Sequence, residues 1–383
     1  MTIPGFTSTG SKRPDSLFGA AAPERLRMVR AQGCTVWDEE GKEYLDLVMA
    51  LGAVGLGYAH PRVVEAATQA MRDGGVGPLA PVAEGALAER IADVIEGAEA
   101  TRFLKTGAEA VAAAVRIARV YTGRDRIITC GYHGWLDWCQ EGLGVPPSVA
   151  ELRREIPFNN VAALEATLTE FGPVAAVVLE PVVDGPPDPV WLKAARGACT
   201  ASDALLIFDE IKTAFRVSLG GGAARYKVLP DLMVLGKALG NGFPIAAVCG
   251  PAEIMSAATS TWISSTLATE FVSLAAALAV IEVFERENVI GHLERVGGEL
   301  MRGLESLADG YPALCSGVAG IPQMCYLQWR TPELSAAVAR AAAKSGVLLK
   351  RTAYNFVSLA HTDQVVGEII DRLDRVMTGI AAC

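Results

Sequence analysis

Leu205-Leu-Ile-Phe-Asp209-Glu210-Ile211 is followed downstream by Leu235-Gly-Lys237-Ala-Leu-Gly-Asn-Gly-Phe-Pro244. The first segment puts a carboxylate, Asp209, at the end of an apolar run that reads as a buried strand. The second puts Lys237 in a glycine-rich turn, 237 − 209 = 28 residues later. A carboxylate behind four apolar strand residues loses solvation and needs a partner. A pyridinium N–H suits it, and an imine-forming lysine completes the pair of groups that a pyridoxal phosphate (PLP) enzyme must supply. Plainer readings stay open for each residue alone. Asp209 could cap a loop or bind an arginine, and Lys237 could be a surface lysine in a tight turn.

Around this pair the central third of the chain alternates between two patterns. Thr101–Lys105, Arg126–Cys130, Val174–Leu179, Ala204–Phe208, Leu232–Leu235 and Ile245–Val248 are short, apolar and strand-like. Their neighbours, such as Ala108–Tyr121, are alanine-rich with helical spacing. That alternation predicts an α/β fold with a mainly parallel sheet between helices. Ligands on such sheets bind at the carboxyl ends of strands. Asp209, Lys105-Thr106-Gly107 and Glu180-Pro181 all fall at such ends. Thr106-Gly107-Ala108-Glu109 opens a helix, where N–H groups bind phosphate or where Thr106 is an ordinary N-cap. Tyr132-His133-Gly134 follows the Arg126–Cys130 run, and Tyr132 suits either a flat cofactor face or core packing.

The ends of the chain read differently. Gly33–Asp46 predicts a hairpin around Glu40-Gly41. Val366, Ile369, Ile370, Leu373 and Val376 have helical spacing. The expected organisation is an N-terminal segment, 1–60, joining a smaller α+β domain, a large domain over 61–287, and a C-terminal part over 288–383. A helix over Leu274–Glu287 is expected to link them.

Composition narrows the class. The 383 residues are 51% hydrophobic and 20% charged, which fits a globular chain with a large core. The net charge of 34 − 43 = −9 argues against a nucleic-acid partner. No apolar run reaches the length of a membrane span, and the first residues lack the pattern of a signal peptide. Eight cysteines are scattered without a CxxC pair, and the four histidines are far apart in sequence. Reduced thiols, a cytoplasmic location and no metal are the expectation.

Taken together, these motifs resemble the class III aminotransferases among fold-type I PLP enzymes, nearest the glutamate-1-semialdehyde aminomutase group. The resemblance spans nearly the whole chain. It rests on Val36–Asp46, Leu56-Gly-Tyr-Ala-His-Pro61, Thr106-Gly-Ala-Glu-Ala110, Tyr121-Thr-Gly-Arg124, Tyr132-His-Gly134, Glu180-Pro-Val182, Phe208-Asp-Glu-Ile211 and Phe215-Arg-Val217. Pro230-Asp-Leu232, Gly236–Pro244, Ser265-Thr-Leu267 and Ala360-His-Thr362 extend it. It implies a seven-stranded type of sheet, PLP as cofactor, and a lysine-bonded cofactor at Lys237. It further implies Asp209 on the pyridine nitrogen, Ile211 and Tyr132 on the two ring faces, and Thr106, Gly107 and Ala108 on the phosphate. Thr266 would reach the phosphate of a neighbouring subunit, which makes a homodimer the expected assembly.

The departures from that family gather on the substrate side. The segment Met49-Ala-Leu-Gly-Ala-Val-Gly-Leu-Gly57 lacks the aromatic that the aminomutases carry before their Leu-Gly-His segment. Val183-Asp-Gly-Pro-Pro187 lacks their asparagine, and Ala268-Thr-Glu270-Phe271 replaces a Gly-Gly-Asn-Pro. Lys212 stands where many relatives carry glutamine, and either contacts the cofactor or points away. The stretch from Trp135 to Pro157 looks shorter than the aminomutase lid. Arg13 lies near the place of a carboxylate-binding arginine, and Arg13, Lys212, Glu180 and Glu270 are the substrate-side candidates. The expectation is an aminotransferase moving an amino group from a small-molecule donor to an aldehyde or ketone, such as a sugar or specialised metabolite. The alternatives are an intramolecular aminomutase of the glutamate-1-semialdehyde type, a PLP-dependent racemase, or an inactive relative serving as a binding subunit.

Overall fold

A computed structural model describes residues 2–20 and 26–382. The chain divides into two compact units, Pro61–Ile290 and a second made of Met1–His60 with Gly291–Cys383.

The unit Pro61–Ile290 is built on a seven-stranded sheet. Its strands are β1 (Ala100–Leu104), β2 (Arg126–Cys130), β3 (Arg153–Glu155), β4 (Val174–Leu179), β5 (Leu205–Asp209), β6 (Leu232–Leu235) and β7 (Ala246–Gly250). In space they run β1-β7-β6-β5-β4-β2-β3. The pairs β2/β3, β2/β4, β4/β5 and β5/β6 are parallel, while β7 is antiparallel to both β6 and β1. Because β7 alone is reversed, the carboxyl ends of β1, β6, β5, β4 and β2 share one edge. Every residue of β4 and β5 is buried, as expected for central strands covered on both faces. Strand β3 was not anticipated from the sequence. Its Arg-Arg-Glu composition carries no apolar signal, and it pairs only at the sheet edge.

The helix after β1, α1 (Gly107–Thr122), is fixed at both ends by its sequence. Thr106 accepts from the Glu109 N–H at 3.2 Å, and the Glu109 carboxylate accepts the Thr106 N–H at 2.9 Å. This reciprocal capping box satisfies two first-turn donors. Gly123 ends the helix in the left-handed conformation, φ 66°. Ala110, Val111, Ala113, Ala114, Ile117 and Ala118 form its buried face and pack on the sheet. A later helix, α2, covers Phe271–Arg286. It was expected to bridge the two domains, but it lies wholly inside this unit. The boundary falls in the next helix, Val289–Gly310, between Ile290 and Gly291.

The other unit holds two small sheets. Met28–Gln32, Thr35–Asp38 and Glu43–Asp46 form an antiparallel meander, to which Val347–Leu348 adds in parallel. The hairpin turns at Glu40-Gly41, where the Asp38 carboxylate accepts the Glu40 and Lys42 N–H groups at 3.0 Å each. Cys315–Ile321, Met324–Trp329 and Asn355–Phe356 form the second sheet. The last helix, Asp363–Ala381, buries Val366, Ile369, Leu373 and Met377, one stripe at helical spacing. Among the described residues no helix is long and apolar enough to cross a membrane.

Candidate active site

Asp209 is the last residue of β5, and Lys237 follows the end of the adjacent β6 by two positions. The strand pairing sets Asp209 opposite Val234, so both groups emerge on the same sheet edge. Asp209 is 3% exposed, too little for water to solvate the carboxylate, so it needs protein partners. One is the Ile211 N–H at 3.2 Å. The other is His133 Nδ1 at 2.8 Å from Oδ2. An ionised carboxylate only accepts, which assigns the proton of this contact to Nδ1 when Asp209 is ionised. His133 is also buried, and its ring stacks on Trp138 at 6.4 Å between centroids. Its Nε2 has no hydrogen-bond partner among the described residues. His133 was quoted in the sequence only as part of a motif. Its place between Tyr132 and Gly134, just past β2, was the one available signal.

Lys237 is partly buried, with a left-handed backbone, φ 45°. A non-glycine residue held in that region marks local strain, which collects at functional sites. Its amine makes no ion pair or hydrogen bond among the described residues. Burial lowers its pKa to about 8, helped by the positive charges of Lys212 and Arg216 and opposed by Glu180 and Asp209. A lysine with that value is a usable base and nucleophile near neutral pH.

Ile211 ties the pieces together. A Cβ built on Gly107 would lie 2.5 Å from Ile211 Cδ1, and one on Gly236 would lie 3.5 Å from Ile211 Cγ1. The side chain therefore spans from the start of α1 to the residue before Lys237. On the other side of the helix start, a Cβ on Gly134 would lie 2.6 Å from Ala108 Cβ. The N–H groups of Gly107 and Ala108 are first-turn donors, which a helix leaves without internal acceptors. Gly107→Ala should force Ile211 to turn its terminal methyl away. The expected cost is about 1 kcal/mol in denaturant unfolding, with weaker PLP binding. An unchanged midpoint and unchanged PLP affinity would show that Ile211 gives way freely.

The family model for aminotransferase class-III matches residues 19–377. The chain belongs to the class III aminotransferases. It is 33% identical to a glutamate-1-semialdehyde 2,1-aminomutase of Neisseria gonorrhoeae (strain NCCP11945), over 99% of this chain and 97% of that protein. Among solved structures it is similar to a PLP form of the FumI protein of Sphingopyxis sp. MTA144. The TM-score is 0.92, with 26% identity over 99% of this chain and 94% of that one. It is also similar to a β-phenylalanine aminotransferase from Variovorax paradoxus, with TM-score 0.88 and 25% identity over 100% and 92%.

PLP is the cofactor of this class III aminotransferase, and the residues present fit it. A buried acid, a lysine whose amine has no ion pair among the described residues, and first-turn N–H groups beside a glycine packed on Ile211 lie at one sheet edge. The remaining sequence candidates are placed as follows. Tyr132 is 68% exposed, and its N–H donates to Glu180 Oε2 at 3.0 Å. Glu180 directly follows β4, is 4% exposed, and pairs with Lys212 at 2.8 Å. Thr106 and Thr266 are exposed. Glu270 caps α2, accepting the Val272 and Ser273 N–H groups at 2.7 and 2.9 Å, and its Oε1 pairs with Lys105 at 2.6 Å. Arg13 is exposed and belongs to the unit formed by the chain termini, just before the short helix Pro14–Phe18.

Proposed function

We propose that this class III aminotransferase moves an amino group onto and off a carbonyl carbon, with Lys237 as both the PLP-bonding amine and the proton carrier. The observation that carries this reading is Lys237 itself, a lysine with no ion pair among the described residues and a pKa of about 8, just past the strand end beside buried Asp209. PLP, when bound, supplies an electron sink for bond breaking at the amino-bearing carbon. Asp209, oriented by His133, would hold a negative charge against the pyridine nitrogen. Thr106 and the N–H groups of Gly107 and Ala108 would take the phosphate. Ile211 and Tyr132 would lie on the two ring faces. Thr266, exposed, would serve the phosphate of the partner in a homodimer. Arg13, Lys212, Glu180 and Glu270 are the substrate-side candidates. Glu270 enters that set already engaged by Lys105 and by the start of α2.

Two versions of the reaction are open, and they differ in where the amino group goes. The relative from Neisseria gonorrhoeae, matched over 97% of its length, favours an intramolecular 2,1-amino shift on one substrate. That reading is better supported than transfer between two molecules. The second reading, transfer from a donor to a separate aldehyde or ketone, draws on the likeness to β-phenylalanine aminotransferase. It also draws on the altered substrate side, at Leu51, Asp184 and Lys212. Isotope tracing separates them. The holoenzyme is given an amino-aldehyde together with a nitrogen-15 amino donor and a keto acid. Product that keeps the original nitrogen, formed without any donor, supports the shift. Product that acquires the heavy nitrogen, and forms only with a donor present, overturns it in favour of the aminotransferase.

A further inference from the structure

Only Lys105 and Thr106 connect β1 to α1, and the connection is held from two sides. The backbone N–H groups of Lys105 and Thr106 donate to Glu109 Oε2, at 3.3 Å and 2.9 Å. The Lys105 ammonium leaves the turn and meets Glu270 Oε1 at 2.6 Å, across 165 residues of sequence. Glu270 is at the same time the N-cap of α2. The contact therefore joins the β1–α1 turn to the start of a second helix.

Capping alone does not explain a glutamate at position 270. N-caps favour Ser, Thr, Asp and Asn, whose short side chains reach the first-turn N–H groups. Glu270 makes such bonds, to Val272 and Ser273, and also spans to Lys105. Stability does not explain the pair either. Its side chains are 13% and 15% exposed, and the cost of desolvating such a pair largely offsets its attraction. The loop before Glu270 is held less selectively. Arg116 donates to the Trp262 carbonyl at 2.8 Å and Arg102 to the Ile263 carbonyl, backbone groups that any residue supplies. The Lys105–Glu270 contact instead depends on two particular side chains. N–H groups fixed in advance bind a ligand more tightly than groups that must first be ordered. We propose that Lys105 and Glu270 are a positioning pair, a latch that presets the β1–α1 turn for the phosphate of PLP. Lys105 acts through the backbone of Thr106, Gly107 and Ala108 and not as a cation on the phosphate. This rests on the reading of that turn as the phosphate site.

The test compares two ligands. The full-length chain, freed of cofactor, is titrated with PLP and with pyridoxal, which lacks the phosphate. Binding is read from quenching of protein fluorescence, and the ratio of the two affinities isolates the phosphate turn. Glu270→Asn keeps a favourable N-cap but is one methylene shorter, so it gives up Lys105. Lys105→Met keeps the aliphatic stem without the charge. Each should weaken PLP by about tenfold and leave pyridoxal nearly unchanged, and the double variant should be no worse than either single one. An unchanged ratio in both single variants overturns the proposal, as do losses that add in the double variant. Loosened packing would lower both affinities in parallel, and that result also overturns it. So does tighter PLP binding in Glu270→Asn, which would mean that a freed Lys105 serves the phosphate as a cation. Equal affinity of the natural chain for PLP and pyridoxal would overturn the phosphate reading itself, a result read without any variant.

Discussion

Lys237→Ala is expected to lower turnover by at least about 10⁴-fold, because on the proposed function it removes a covalent anchor and a proton carrier together. The visible absorbance of lysine-bound cofactor should vanish with it. The fold should survive. Among the described residues the Lys237 amine has no ion pair or hydrogen bond, so its removal orphans no buried partner there. The pH dependence gives a second check, and its sign follows from linkage. The folded-state pKa, about 8, lies below the ordinary lysine value of 10.5. Between those two values the unfolded chain binds the extra proton, so the natural protein gains stability as pH rises through that window. Below pH 8 both states are protonated and the cost of a charged, partly buried lysine is fully present. The alanine variant should therefore gain most, relative to the natural chain, below pH 8, read from melting temperatures across the range. An active variant that keeps the visible band would sink the assignment of Lys237.

The parts legible in the sequence were those where backbone chemistry and burial leave few options. Central strands β4, β5 and β6 read as unbroken apolar runs because helices cover both their faces. The α1 start was readable because Thr106 and Glu109 carry a capping signature and Gly107 precedes an alanine-rich face. Strand β3 was not readable, since an edge strand of three polar residues draws its stability from a neighbour distant in sequence. The same limit applied in the site. Asp209 and Lys237 announced themselves through strand-end position, whereas His133 on Asp209 is a contact across 76 residues. The Lys212–Glu180 pair likewise depends on β4 and β5 being neighbours, which no local pattern specifies. Glu270 drew attention as a departure from the family, and its cap on α2 and its pair with Lys105 are further contacts that its sequence neighbours do not announce.

Asp209 offers the second large effect, and two substitutions divide it. Asp209→Ala removes the acceptor of the His133 Nδ1 proton, in a pair whose side chains are 1% and 2% exposed. With Nε2 already lacking a partner among the described residues, the imidazole would have no hydrogen bond within them. The stability cost of such an orphaned group is about 1–3 kcal/mol, so this variant should lose both stability and activity. Asp209→Asn keeps the shape and an oxygen that can accept from Nδ1, so most of the stability should return. Its amide is neutral, however, and cannot place a negative charge against a pyridinium nitrogen. Removing one preorganised electrostatic partner of this kind costs about 10²–10³-fold in turnover. The expected pattern is therefore a near-native melting temperature with turnover still depressed in the asparagine variant. Near-native turnover in Asp209→Asn would mean that Asp209 acts only as a scaffold for His133. Loss of both properties in Asp209→Asn would mean that the negative charge is needed to keep the imidazole in place. Only the split result assigns the charge to the chemistry, because stability and turnover then respond to different properties of the same side chain.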